Sequence, residues 1–95
     1  MPGPPAGYGW QMAECLVPGI TSAAAEALAG RIAAELAIAA DSGVSFIGAI
    51  LMPGDEVLMC VFDGPPDRVR AVSERSGLPF ERIVPCDWIG WDQTW

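Results

Sequence analysis

From Val44 to Phe62 the chain carries two apolar runs, V-S-F-I-G-A-I-L-M and E-V-L-M-C-V-F, on either side of Pro53-Gly54-Asp55. Runs rich in β-formers around Pro-Gly-Asp predict two strands and a tight turn, over about Val44–Met52 and Glu56–Phe62. Upstream, Trp10 to Val17 alternates, with Trp10, Met12, Glu14 and Leu16 on one face and Gln11, Ala13 and Cys15 on the other, and Pro18-Gly19 ends it. An Ala-rich segment follows in which Leu28, Ile32 and Leu36 recur every four residues beside Ala25, Ala29, Ala33 and Ala39, the stripe of a helix. Thr21 or Ser22 is its expected N-cap and Gly43, after Asp41-Ser42, its left-handed C-cap; Arg31 and Glu35 are placed on its solvated side.

A second helix is predicted from Pro65 or Pro66, with Asp67 in its first turn and Val69 and Val72 facing inward. Ser76-Gly77-Leu78-Pro79 stops it. A last strand runs from Arg82 to about Ile89. Residues 1–9, rich in Pro and Gly, read as a flexible leader, 10–89 as the folded domain, and 90–95 as an aromatic tail.

Strand, helix, strand, strand, helix, strand is the order of an α+β, ferredoxin-like βαββαβ fold. Its antiparallel sheet is ordered 4-1-3-2, and both helices lie on one face. The other face is left bare. Bare faces of this kind are closed by a second copy or by a ligand, and the dimeric α+β-barrel is the expected assembly.

Composition sharpens that expectation. Of 95 residues 52% are hydrophobic, more than one small core hides, so a homodimer or an apolar small-molecule ligand is expected. With 12 acidic and 5 basic residues the net charge is −7, and the five Arg are scattered, which argues against nucleic acid and anionic membrane as partners. No apolar run approaches about 20 residues and no signal-peptide pattern opens the chain, so a cytoplasmic protein is expected.

There is no His, so the commonest metal ligand and neutral-pH acid/base group is missing. Cys15, Cys60 and Cys86 form no C-x-x-C pair and read as small core residues. Phosphate-cradling loops, a Ser-His-Asp order and zinc spacing are absent, and no cofactor is expected.

Three segments carry a family resemblance: Met12-Ala13-Glu14-Cys15-Leu16-Val17-Pro18-Gly19-Ile20-Thr21, Pro53-Gly54-Asp55-Glu56-Val57 with Cys60 and Phe62, and Ser76-Gly77-Leu78-Pro79-Phe80-Glu81-Arg82-Ile83. Together they resemble the small bacterial nickel-binding-protein-like family over roughly residues 10–89. The resemblance implies a stand-alone ferredoxin-like domain, often dimeric, in which Glu14 matches the first-strand Glu and Cys60 the third-strand Cys. Metal binding in those relatives looks His-assisted, and with no His here no metal site is expected.

Candidate chemistry centres on Glu14, a carboxylate flanked on its face by Met12 and Leu16. It is either a desolvated acid/base or one half of an ion pair with an Arg across a dimer. Trp10, Met12, Trp88 and Trp91 are candidate walls of a flat ligand pocket, with Met52 and Met59 as adaptable lining; the alternative for the Trp set is a C-terminal clasp over an apolar edge of the domain or of its mate. Leu58, Cys60 and Phe62 share one face of the third strand, placed with Glu14 as ligand-binding residues if that face is open and as packing residues if it meets the helices.

Three functions fit. The first is a dimer binding a hydrophobic small molecule on the open sheet face. The second is a cofactor-independent cyclase or isomerase on a hydrophobic metabolite, with Glu14 as acid/base, and the third is a structural partner whose sheet face only dimerises.

Overall fold

The computed structural model describes residues 9–89; the leader up to Tyr8 and the tail 90–95, Trp91 included, lie outside the described residues. Strand β1 (Trp10–Leu16) leads through helix α1 (Ser22–Ile38) to β2 (Ser45–Met52). A single 3-10 turn, Pro53–Asp55, joins β2 to β3 (Val57–Asp63), and helix α2 (Pro66–Arg75) returns the chain to β4 (Phe80–Cys86). All pairings are antiparallel, in the order β2-β3-β1-β4, which is the expected 4-1-3-2 read from the other edge.

The helix-covered face holds the core. Ala13 and Cys15 of β1 lie opposite Cys60 and Leu58 of β3, and all four are buried with Phe62 beneath Leu28 and Ile32 of α1 and Val69 and Val72 of α2. Phe46 of β2 packs its ring 5.3 Å from that of Phe62. Each fully buried Leu, Ile, Val or Phe contributes about 1.5–3 kcal/mol by leaving water, so this cluster dominates stability.

Local signals set the helix ends. Thr21 Oγ1 accepts from the Ala24 amide at 3.1 Å and starts α1. The expected stop at Gly43 is corrected: α1 ends at Ile38, capped by Ala39 N–H donating to the Glu35 carbonyl, and Gly43 (φ 78°) instead turns the chain into β2. Glu35, expected on the solvated side, faces α2, where the Arg75 guanidinium donates to its Oε2 at 2.9 Å. Helix α2 closes as anticipated at Gly77, with Leu78 N–H donating to Ser73 and Gly77 N–H to Glu74, and Leu78 buried against the core.

Strand limits also differ from expectation, most clearly in β3 and β4. Glu56 adopts the left-handed conformation (φ 58°, ψ 40°) and so belongs to the turn, where its carboxylate accepts from Gly19 N–H and its carbonyl from Val17 N–H. Strand β4 runs Phe80–Cys86 rather than Arg82–Ile89, because Phe80 already pairs with Cys15 across a bulge between Glu14 and Cys15. Proline is tolerated at position 85 because β4 is an edge strand.

The end of the sheet near Trp10 is fixed by a close backbone approach. A Cβ on Gly64 (φ 154°) would lie 2.9 Å from the Gly43 carbonyl oxygen and 3.1 Å from Val44 Cγ2. Only glycine fits between the two loops. Arg68 reinforces the same junction by donating to the Ser42 carbonyl at 2.9 Å.

Candidate functional site

Strand pairing decides which side chains meet on the uncovered face. Trp10, Met12, Glu14 and Leu16 lie opposite Asp63, Val61, Met59 and Val57 of β3, and on the other side Trp10, Met12 and Glu14 lie opposite Cys86, Val84 and Arg82 of β4. Residues directly opposite in an antiparallel pair share a face. All of these therefore point away from Cys15, Cys60 and the helices.

The grouping of Leu58, Cys60 and Phe62 with Glu14 is thereby corrected. All three are at most 1% exposed and sit under the helices, on the opposite side of the sheet from Glu14. The Cys60 thiol donates toward Cys15, and this bond, followed by burial, pushes its pKa far above the ordinary thiol range. A sealed, firmly protonated thiol is a packing group and not a nucleophile.

On the open face a recess of about 330 Å³ forms at the end of the sheet where β1 begins. Trp10, Met12 and Val61 make its floor, β2 residues Ile47–Ile50 one wall, and Cys86, Asp87 and Trp88 the other. Three of the expected pocket residues, Trp10, Met12 and Trp88, do come together here. Trp91 lies outside the described residues, and Met52 and Met59 do not line the recess.

The shape of the recess has a local origin. Register slips between Phe46 and Gly48, so Ile47 is squeezed out of the ladder and remains 42% exposed. Gly48 then faces Val61 with no side chain, and a Cβ built there meets nothing within 4 Å. Space is left above the sheet that an ordinary residue at this position would occupy.

The β2 wall and Val61 were missed from the sequence. A signal for Val61 existed: Asp63 shares its face of β3 with Val61 and Met59, as Glu14 shares that of Met12, and two acids on one face mark the side away from the helices. Gly48 inside an apolar strand was a second signal, of a bulge.

The recess is electrically quiet. Among the described residues its lining holds one carboxylate, Asp87, which is exposed at the rim, and no cation. Burial, and secondarily the Asp87 charge, raise the pKa of the Cys86 thiol, which keeps it neutral. Trp10 is only 7% exposed, and its indole Nε1 is buried with no hydrogen-bond partner among the described residues.

Glu14 lies one position further along the same face, outside the recess. Arg82 Nε donates to its Oε1 at 3.2 Å, in an ion pair whose side chains are 62% and 23% exposed for Arg and Glu. The Arg expected to meet Glu14 was placed across a dimer; the Arg that Glu14 meets here is on the neighbouring strand of its own chain.

A family model for nickel-responsive SCO4226-like proteins matches residues 12–86, nearly the whole ladder from Met12 to Cys86. The chain belongs to the SCO4226-like family. The crystal structure of SCO4226 from Streptomyces coelicolor A3(2) is similar at 28% sequence identity with a TM-score of 0.64, over 82% of this chain and 95% of that one. No curated protein matches the chain. The family resemblance noted from the sequence and the ferredoxin-like fold are both shown by these likenesses.

Nickel, named in the family description, does not fit the described residues. No three of His, Cys, Asp or Glu come together among them, and the chain has no imidazole to offer. Glu14 and Cys60, the residues that match the family motifs, are on opposite faces of the sheet, so they cannot share an ion. Among the described residues no helix is long and apolar enough to cross a membrane.

Proposed function

We propose that this SCO4226-like protein is a small-molecule binding module that takes a hydrophobic ligand on its open sheet face, within a homodimer whose second copy covers the rest of that face. The observation that carries the proposal is the recess floored by Trp10, Met12 and Val61, an apolar, preformed hollow on the side of the sheet without helices. Its volume of about 330 Å³ falls at the lower end of small-molecule sites, which run from about 300 to 1,000 Å³. Support for the second copy comes from Leu16 at 50% and Ile50 at 58% exposure, apolar side chains on the same face. Isolated exposed apolar residues are ordinary, but a row of them on one sheet face is the usual form of an interface.

Nile red, a neutral apolar dye whose emission rises on leaving water, tests the site. Wild-type protein is expected to enhance its emission, and Met12→Glu, which puts a charge on the recess floor, to abolish the enhancement. Equal enhancement by both proteins would place the dye elsewhere and sink the proposal. Light scattering on the same samples reads the dimer, which Ile50→Asp is expected to dissociate.

Glu14 as a general acid/base has no such support. Its carboxylate is held by Arg82 at the side of the recess and does not face into it.

A further inference from the structure

Trp10, on the recess floor, carries one polar group that no described residue uses. Trp10 Nε1 is buried, and no described residue accepts its hydrogen. A buried donor without a partner is a standing cost of folding, since the indole N–H gave up water and received nothing in return. Trp is normally placed in a core only where its N–H reaches an acceptor. At Trp10 the indole instead lines a hollow of about 330 Å³ while its N–H is turned inward, so a guest seated there meets the N–H only on a turn of the ring that brings it to the surface.

The rest of the lining narrows the guest. Asp87 at the rim and the net charge of −7 disfavour anions, and no described lining residue is a cation that could offset them. Arg82, the nearest positive group of β4 on this face, is taken by Glu14. Met12, Ile50 and Val61 present only apolar surface.

We propose that the ligand is a neutral, mainly apolar molecule with one carbonyl-type acceptor, and that Trp10 Nε1–H is the donor that recognises it. This rests on the small-molecule proposal for the recess and adds the chemistry that orients the guest. One hydrogen bond inside an apolar hollow fixes orientation and separates a ketone from the hydrocarbon of the same shape, because only the ketone satisfies the orphan donor.

The test compares acetylnaphthalene with ethylnaphthalene of the same substitution on nitrogen-15-labelled, full-length protein. The ketone is expected to bind up to about tenfold more tightly, the worth of one net hydrogen bond, and to move the Trp10 indole N–H resonance downfield. Trp10→Phe keeps the ring but removes the donor, and should bring the two affinities together while the hydrocarbon still binds. Equal binding of the two probes to wild type, or an indole resonance that the ketone leaves in place, overturns the proposal and spares the apolar recess. An indole N–H already bonded before any probe is added, to a trapped water or to a second copy, overturns it too. Failure of both probes to bind overturns the small-molecule proposal as well. Should Trp10→Phe not fold, the wild-type indole resonance still decides.

Discussion

The two faces of the sheet are built from alternate residues of the same strands, yet they differ in almost every physical respect. Under the helices, Ala13, Cys15, Leu58, Cys60 and Phe62 are at most 1% exposed and interlock with Leu28, Ile32, Val69 and Val72. On the other side, Met12, Met59 and Val61 are half-buried, an ion pair joins Glu14 to Arg82, and a recess opens beside Trp10. Both faces are apolar enough to be cores, but among the described residues only one is covered by helices. Stability is concentrated on the first, and the proposed binding site lies on the second.

The largest test of this contrast uses adjacent residues of β3. Phe62→Ala should lower the unfolding free energy by about 3–5 kcal/mol, because it empties the middle of the packed face. Val61→Ala, on the open face, should cost about 1 kcal/mol, both values read from urea denaturation. A cost at Val61 that grows with protein concentration would sharpen the comparison, since it would show a second copy covering that face.

Next in size is the alkaline limb. The pKa of Cys60 is raised in the folded state by its bond to Cys15 and by burial, so the folded protein keeps a proton that the unfolded chain releases near the ordinary value of 9.0. Stability from this group is therefore full below pH 9.0 and is lost as pH rises above it. The expected slope is about 1.4 kcal/mol per pH unit for one such proton, and replacing Cys15 and Cys60 together by Ala should remove that part of it, because Cys60→Ala alone frees Cys15 from the bond that lowers its pKa and leaves burial to raise it. Denaturation curves at a series of alkaline pH values give the slope, and an unchanged slope in the variant would mean that the thiol is not sealed.

Smallest is the open-face ion pair. Glu14→Gln removes the charge that Arg82 meets, and with both side chains partly in solvent the loss should stay within about 1 kcal/mol. Nile red binding should be kept as well, because Glu14 lies beside the recess. A large loss of binding would bring Glu14 back as a site residue.

Much of this molecule was legible in the chain. Pro-Gly and Gly-Pro punctuation located the turns, Thr21 the start of α1, and Ser76-Gly77-Leu78-Pro79 the end of α2, since caps and turns depend on a few neighbouring residues. Errors of two or three residues arose where a distant partner decides the boundary, as when Phe80 joins β4 by pairing with Cys15, far away in sequence. Of the candidate site, Trp10, Met12 and Trp88 were legible, whereas Leu58, Cys60 and Phe62 were assigned to the wrong side.

By itself the sequence determined the order of elements, the two alternating faces within each strand and the presence of more apolar surface than one core requires. Those properties follow from local geometry and composition. Tertiary structure alone decided how the faces of different strands combine, setting Ala13 against Cys60 and Met12 against Val61. A strand's period of two fixes which residues are neighbours on that strand, but a slip of one residue in pairing would exchange every side chain between the covered face and the open one. Hydrogen-bond register, fixed across loops and helices, put Cys60 in the core and left Trp10 with an unpaired N–H beside a hollow.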